Sequence, residues 1–209
     1  MMRYLLLVAS IAGCLAAADC RAVRADAVSA AVAESITLER QAKYDDAVLA
    51  LTNVRKPAYL LYLRLGWLHY LRTDYEKSKQ FYQQAMRMQS KALEPRLGYM
   101  LPLLAQFRYA EVESTAKSIL TMDANHYTAG LRMTYALRMQ GKFNAARDLN
   151  ARMLELYPTD MSFLLEQLLS NVGAKSPDVG ALCEMILALD PDNATAKYYA
   201  PAKTSMTTR

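Results

Sequence analysis

The sequence is poor in residues that punctuate or cross-link a chain. Its 209 residues hold 7 Gly, 7 Pro, 3 Cys and 2 His. Three Cys exclude a disulfide-dense scaffold and a four-thiolate zinc site. His69 and His126 stand far apart, which argues against a catalytic metal held by His ligands. There is no G-x-S-x-G nucleophile elbow and no Gly-rich phosphate loop. The net charge of +5 is modest and scattered, without the concentrated basic stripe of a nucleic-acid binder. No catalytic residue, metal site, cofactor or nucleic-acid partner is therefore expected. What remains is apolar, at 53% hydrophobic residues, and rich in helix formers. That composition excludes a disordered tail, and the length suffices for a core without staples.

The first residues read as an export signal. Met1-Met2-Arg3 is a short basic start, and Tyr4 to Ala18 is an uncharged, mostly apolar run. Fifteen residues fall short of the roughly 20 that span a bilayer as a helix, and suit a secretory h-region. Two exits are readable. Residues 1–18 can form a signal peptide cleaved after Ala16-Ala17-Ala18. Alternatively, Ile11-Ala12-Gly13-Cys14 resembles a bacterial lipobox, with Cys14 acylated as the mature N-terminus. The first exit predicts a periplasmic or cell-envelope protein, the second an outer-membrane lipoprotein attached through its N-terminus. Cys20 and Cys183 lie near opposite ends of the chain, and no bond between them is expected.

Self-similarity organises the rest. Tyr75, Tyr109 and Phe143 are spaced by 34 residues, as are Ser90, Ala124 and Pro158, with Pro191 following at 33. Each aromatic follows a short turn: Arg72-Thr73-Asp74, Gln106-Phe107-Arg108 and Gln140-Gly141-Lys142. A period of this size marks stacked supersecondary units. In the clearest copy, Tyr62-x-x-Leu65-Gly66-x-x-His69 is followed by Ser78-x-x-x-Tyr82-x-x-Ala85. A later copy carries Gly141, Phe143, Ala146 and Pro158 in the matching places. The middle copy is degenerate, and Pro102 falls inside its first helix, where it should kink or break it.

These residues resemble the tetratricopeptide repeat, a 34-residue helix–turn–helix unit. The resemblance implies an all-α, right-handed α-solenoid of stacked repeats. The expected organisation is a leader at 19–27 and a single solenoid at 28–193. Its repeats run at about 28–58, 59–92, 93–126, 127–160 and 161–193. A helical stub and polar tail fill 194–209. Pro57 should shorten the second helix of the first repeat.

The resemblance also places the first helix of each repeat on a concave face and the second on a convex one. On the first helix of the clearest copy, Leu60, Leu63, Trp67, Tyr70 and Leu71 form a second apolar stripe carrying the only Trp. A helix apolar on nearly all sides needs a cover. Matching positions downstream include Leu97, Leu101, Leu104 and Ala105, then Leu131, Tyr135, Arg138 and Met139. The predicted partner-binding groove comprises Leu63, Trp67, Tyr70, Leu71, Leu97, Leu101, Leu131, Tyr135, Arg138 and Met139. It would accept an amphipathic helix or an extended peptide. The carboxylate clamp of chaperone-binding relatives is not expected, because Leu63, Trp67, Leu97 and Leu101 cannot supply it and only Arg132 matches in type.

Other polar residues have structural readings. His69 replaces the usual Tyr between paired helices and reads as a core histidine. Asp45-Asp46 and Glu111/Glu113 start second helices, where carboxylates meet the helix dipole favourably. Lys77, Lys79, Arg87 and Lys91 read as a solvated convex face. The expected function is a non-catalytic scaffold binding a protein or peptide partner in envelope assembly, secretion or surface-polymer export. The alternatives are a self-associating structural solenoid and a non-catalytic subunit of an envelope enzyme complex.

Overall fold

The computed structural model describes residues 27–201. The signal-peptide exits, Cys14, Cys20, most of the 19–27 leader and the final tail lie outside the described residues. The described chain is all-α, with no strand among the described residues. In order, α1 covers 27–40, α2 Tyr44–Thr52, α3 Tyr59–Leu71, α4 Tyr75–Met88 and α5 Glu94–Ala105. Then follow α6 Tyr109–Met122, α7 Tyr127–Met139, α8 Phe143–Leu156, α9 Met161–Gly173, α10 Val179–Leu189 and α11 Ala194–Tyr199. The second helix of the first pair, α2, has 9 residues against 14 in α4, α6 and α8. The described residues divide into two compact units, one up to Pro102 and one from Leu103.

The division falls at Pro102, inside α5. The expectation of a broken helix needs correcting: α5 runs on through Pro102 to Ala105. Pro102 stands in the last turn, so the amide that proline removes would have closed only one of the helix's final bonds.

Each turn from a first to a second helix is built the same way. Ala42, Thr73, Phe107, Gly141 and Lys175 all have positive φ, between 55° and 72°. Four of the five are 34 residues apart in succession. Around Thr73, Thr73 N–H donates to Tyr70 O and Asp74 N–H to His69 O. The same two bonds recur as Phe107 to Leu104 and Arg108 to Leu103, and as Gly141 to Arg138 and Lys142 to Leu137. This is the Schellman arrangement, which satisfies the last carbonyls of one helix while reversing the chain. Only Gly141 adopts that conformation without a Cβ penalty.

The entries to α7, α9 and α11 are capped by side chains. His126 Nδ1 accepts from Ala129 N–H, Asp160 Oδ1 from Ser162 and Phe163 N–H, and Asn193 Oδ1 from Ala196 N–H. A cap of this kind contributes about 1 kcal/mol.

In the first unit, Ala47 and Leu51 of α2 pack with Ala31 of α1 and Leu61, Leu65 and Leu68 of α3. Tyr82 of α4 is buried against two glycines. A Cβ on Gly66 would lie 2.9 Å from its ring and one on Gly98 only 2.2 Å. The bare backbones of α3 and α5 thus form a slot for one ring. Ser78 Oγ donates to Gly66 O at 2.7 Å and fastens α4 to α3. In the second unit, Phe163 packs with Leu137, Leu149 and Met153, and Asn150 Nδ2 donates to Phe163 O at 3.1 Å. Cys183 is buried with Leu164, Leu168 and Ile186, and burial pushes its thiol pKa up. It is a packing residue, held protonated.

His69 is 4% exposed and stacks on Phe81 with centroids 5.1 Å apart. Burial lowers its pKa, opposed by Asp74, whose Oδ2 lies 3.4 Å from Nδ1, and reinforced by Arg72 and Lys77.

Gly141→Ala should cost about 1 kcal/mol and Phe107→Gly should stabilise by a similar amount, read as opposite shifts in Tm. An unchanged Tm in both variants would contradict the strain assigned to these turns. The folded state binds His69's proton less readily than the unfolded chain does. Stability should therefore be complete above the ordinary pKa of 6.5 and decline as pH falls below it. His69→Tyr should flatten that decline in equilibrium unfolding measured across pH.

Candidate functional site

The second unit contains an open cavity of about 470 Å³. Its walls come from first helices: Leu104 of α5, Leu131, Arg132 and Tyr135 of α7, and Ser162, Leu165, Glu166 and Leu169 of α9. Thr195 of α11 closes one end. These side chains share a cavity because α7 and α9 present the same repeat positions. Adding 34 to Leu131, Arg132 and Tyr135 gives Leu165, Glu166 and Leu169. The 3–4 spacing within each helix aims them to one side. A pocket of this volume with mainly apolar walls and a few polar groups suits a ligand or a partner's side chains.

Its polar end is an ordered cluster. Arg138 donates from Nε to Glu166 Oε2 at 2.7 Å and from Nη2 to Glu166 Oε1 at 3.0 Å. The two-pronged pairing raises the arginine's pKa further. The guanidinium also sits 5.2 Å from the centroid of the Tyr135 ring. Tyr109 meets Tyr135 edge-on at 5.9 Å. Burial first, then a hydrogen bond with Tyr135, raises the Tyr109 phenol pKa. Both oxygens of the Glu166 carboxylate thus accept from Arg138. To a ligand the cavity offers burial, stacking and hydrogen bonding.

Of the residues singled out in the sequence, Leu131 and Tyr135 line this cavity, and Arg138 stands beside it, ion-paired. Met139 is 43% exposed at the end of α7. In the first unit, Leu63, Trp67, Tyr70 and Leu71 are half-buried on α3, and Leu97 and Leu101 half-buried on α5. The cover that the α3 stripe requires includes α1. Trp67 Nε1 donates to Glu39 Oε1 at 2.9 Å, and Arg64 pairs with the other oxygen of that carboxylate. Arg64 Nε also donates to Ser35 Oγ at 3.0 Å. Sequence reasoning missed Ser162, Leu165, Glu166, Leu169 and Thr195. The signal was present for the α9 residues, because the repeat period carries the α7 positions onto them.

Among the described residues, no group of three or more His, Cys, Asp or Glu is placed to hold a metal ion. No helix among them is long and apolar enough to cross a membrane.

One prediction concerns the Arg138–Glu166 pair. Arg138→Met should cost about 3 kcal/mol by leaving a largely buried carboxylate unpaired. Arg138→Met with Glu166→Leu should recover much of that loss in denaturant unfolding. Simple additivity of the two single variants would show that the groups are not coupled.

No family model matches the chain, and no curated protein matches it. Solved structures do. YrrB, a tetratricopeptide repeat protein, superposes with a TM-score of 0.69 at 12% identity, over 80% of this chain and 89% of that one. MamA of strain AMB-1 gives 0.67 at 14% identity, over 83% and 97%. A tetratricopeptide repeat protein from Parabacteroides merdae gives 0.76 at 12% identity, over 83% and 71%. The described helices, their paired order and these superpositions agree: the chain has the tetratricopeptide repeat fold.

Proposed function

We propose that this protein is a non-enzymatic scaffold of a bacterial cell envelope that holds a protein partner through first-helix side chains. The observation that carries the reading is the apolar cavity of about 470 Å³ between α7 and α9, with its ordered Arg138–Glu166–Tyr135 end. The side chains there are preorganised, so little rotamer freedom is lost when a bulky side chain enters. Leu131, Leu165, Leu169 and Tyr135 supply the burial, while Ser162 and Thr195 offer hydroxyls to a partner's backbone. Support by analogy comes from YrrB, which has an unusual peptide-binding site on the same fold. For the first unit taken by itself, Leu63, Trp67, Tyr70, Leu71, Leu97 and Leu101 are proposed as partner-facing residues. The envelope location rests on the basic start, the apolar run to Ala18 and the Ile11–Cys14 segment. Assembly, secretion and surface-polymer export are the processes in which such an adaptor would serve.

The test is photo-crosslinking in intact cells from a reactive side chain placed at Leu165 or Leu169, read by mass spectrometry. A single envelope protein should be trapped at both positions. Leu131→Glu, which puts a charge on the cavity wall, should reduce trapping at least ten-fold while the helical circular dichroism is kept. Trapping that is indifferent to Leu131→Glu, or confined to this chain itself, would overturn the reading.

A further inference from the structure

Among the described residues, the first unit holds 11 Lys and Arg against 7 Asp and Glu, a net +4, and the second 9 against 11, a net −2. Within the first unit the charge is not evenly spread. α1 and α3 run parallel, since Ser35 and Glu39 meet Arg64 and Trp67 in the same order along both helices. α3 and α5 begin side by side, with the Tyr59 hydroxyl donating to Glu94 Oε2 at 3.3 Å. The starts of α1, α3 and α5 and the ends of α2 and α4 therefore share one edge.

That edge carries Arg55 and Lys56 in the loop after α2, Arg87 in the last turn of α4, and Lys91 in the loop after it. All four are exposed. None has an ion-pair partner among the described residues. The one described carboxylate at this edge, Glu94, accepts from Tyr59. Two large apolar side chains stand among the cations: Leu60 is 50% exposed and Met88 47%. The opposite edge is different in kind. There Asp45, Asp46, Asp74 and Glu76 gather at the starts of α2 and α4, and Arg72, Lys77 and Lys79 are paired with three of them.

We propose that this inter-repeat edge of the first unit rests on an anionic lipid surface, the four cations facing headgroups and Leu60 and Met88 entering the boundary with the acyl chains. Unpaired cations interleaved with exposed apolar side chains fit a membrane interface, where long basic side chains reach headgroups while apolar neighbours are buried. An acidic protein would satisfy the charges but gives no reason for Leu60 and Met88 to stay exposed among them. Ala27, the first described residue, lies on α1 at this same edge. From Cys14 to Ala27 the chain can reach at most about 45 Å. An acylated Cys14, or a retained apolar run, would hold this edge against the bilayer. The proposal does not depend on the partner site in the second unit.

The test is cosedimentation of the full-length protein with vesicles of phosphatidylcholine alone and with vesicles in which about a third of the lipid is phosphatidylglycerol. The N-terminal apolar run is common to every variant, so the measured quantity is the ratio of binding to the two vesicles. The wild type should prefer the anionic vesicles, and added salt should weaken that preference. Each cation replaced by Gln among Arg55, Lys56, Arg87 and Lys91 should lower the ratio about five-fold. Arg40→Gln with Lys43→Gln, at the opposite edge, should leave it unchanged. Leu60→Ser with Met88→Ser should weaken binding to the anionic vesicles at constant charge. A wild type without preference, or a fourfold variant that keeps it, would overturn the proposal. So would soluble polyaspartate binding as tightly as the vesicles while Leu60→Ser and Met88→Ser have no effect; that result would assign the edge to an acidic macromolecule.

Discussion

A helix pair of this kind holds together only if the second helix folds back within three to five residues of the first. The left-handed residue in each interhelical turn imposes that reversal. It lets two amides return to the carbonyls of the finished helix, so the turn closes with its polar backbone satisfied. Once the reversal is set, the small residues of one helix face the rings and long side chains of the next. Tyr82 can then occupy the slot made by Gly66 and Gly98, and Met153 can lie against Gly130. The strain of a left-handed Thr73, Phe107 or Lys175 is small beside the burial it permits. Removing several buried aliphatic side chains from water contributes about 2 kcal/mol each, whereas each strained residue costs about 1 kcal/mol.

The same reversal decides what is left for recognition. With second helices packed behind, the first helices α7 and α9 present homologous positions to one side, and their side chains enclose the cavity in the second unit. In the first unit the equivalent surface of α3 is occupied in part by α1, through Glu39 and its two donors, Arg64 and Trp67. One repeat position can thus serve as lining in one place and as packing in another, depending on what the preceding helix offers.

The period of 34 residues was fully legible, because aromatic and turn residues recur at fixed intervals and physical stacking demands that they do. The left-handed turns were only partly so. Gly141 announces its conformation, but Thr73, Phe107 and Lys175 do not, since tertiary packing pays their cost. Pro102 misled for a local reason: a proline is read as a helix breaker, yet so near a helix end little hydrogen bonding remains to be lost. The face that Trp67 occupies was legible, because periodicity reports which side of a helix a residue lies on. It cannot report that a carboxylate 28 residues earlier accepts the indole N–H. Leu165, Glu166 and Leu169 could have been found by carrying Leu131, Arg132 and Tyr135 forward one period. The basic edge was hidden because its members lie in two loops and a helix end, and only the repeat geometry brings them together.

Glu39 with Arg64 and Arg138 with Glu166 occupy the same two positions of successive first helices, with the signs exchanged. In the first pair the earlier helix carries the acid; in the second it carries the base. If the helix bearing Arg64 followed the one bearing Arg138, two guanidinium groups would face each other. If the helix bearing Glu166 followed the one bearing Glu39, two carboxylates would. Like charges at such sites cost far more than the attraction they replace. The repeats are alike enough in shape to be shuffled, but their charges make them addressed parts. Recombination, duplication or exchange of segments between molecules would be penalised wherever it brought these helices together in the wrong order.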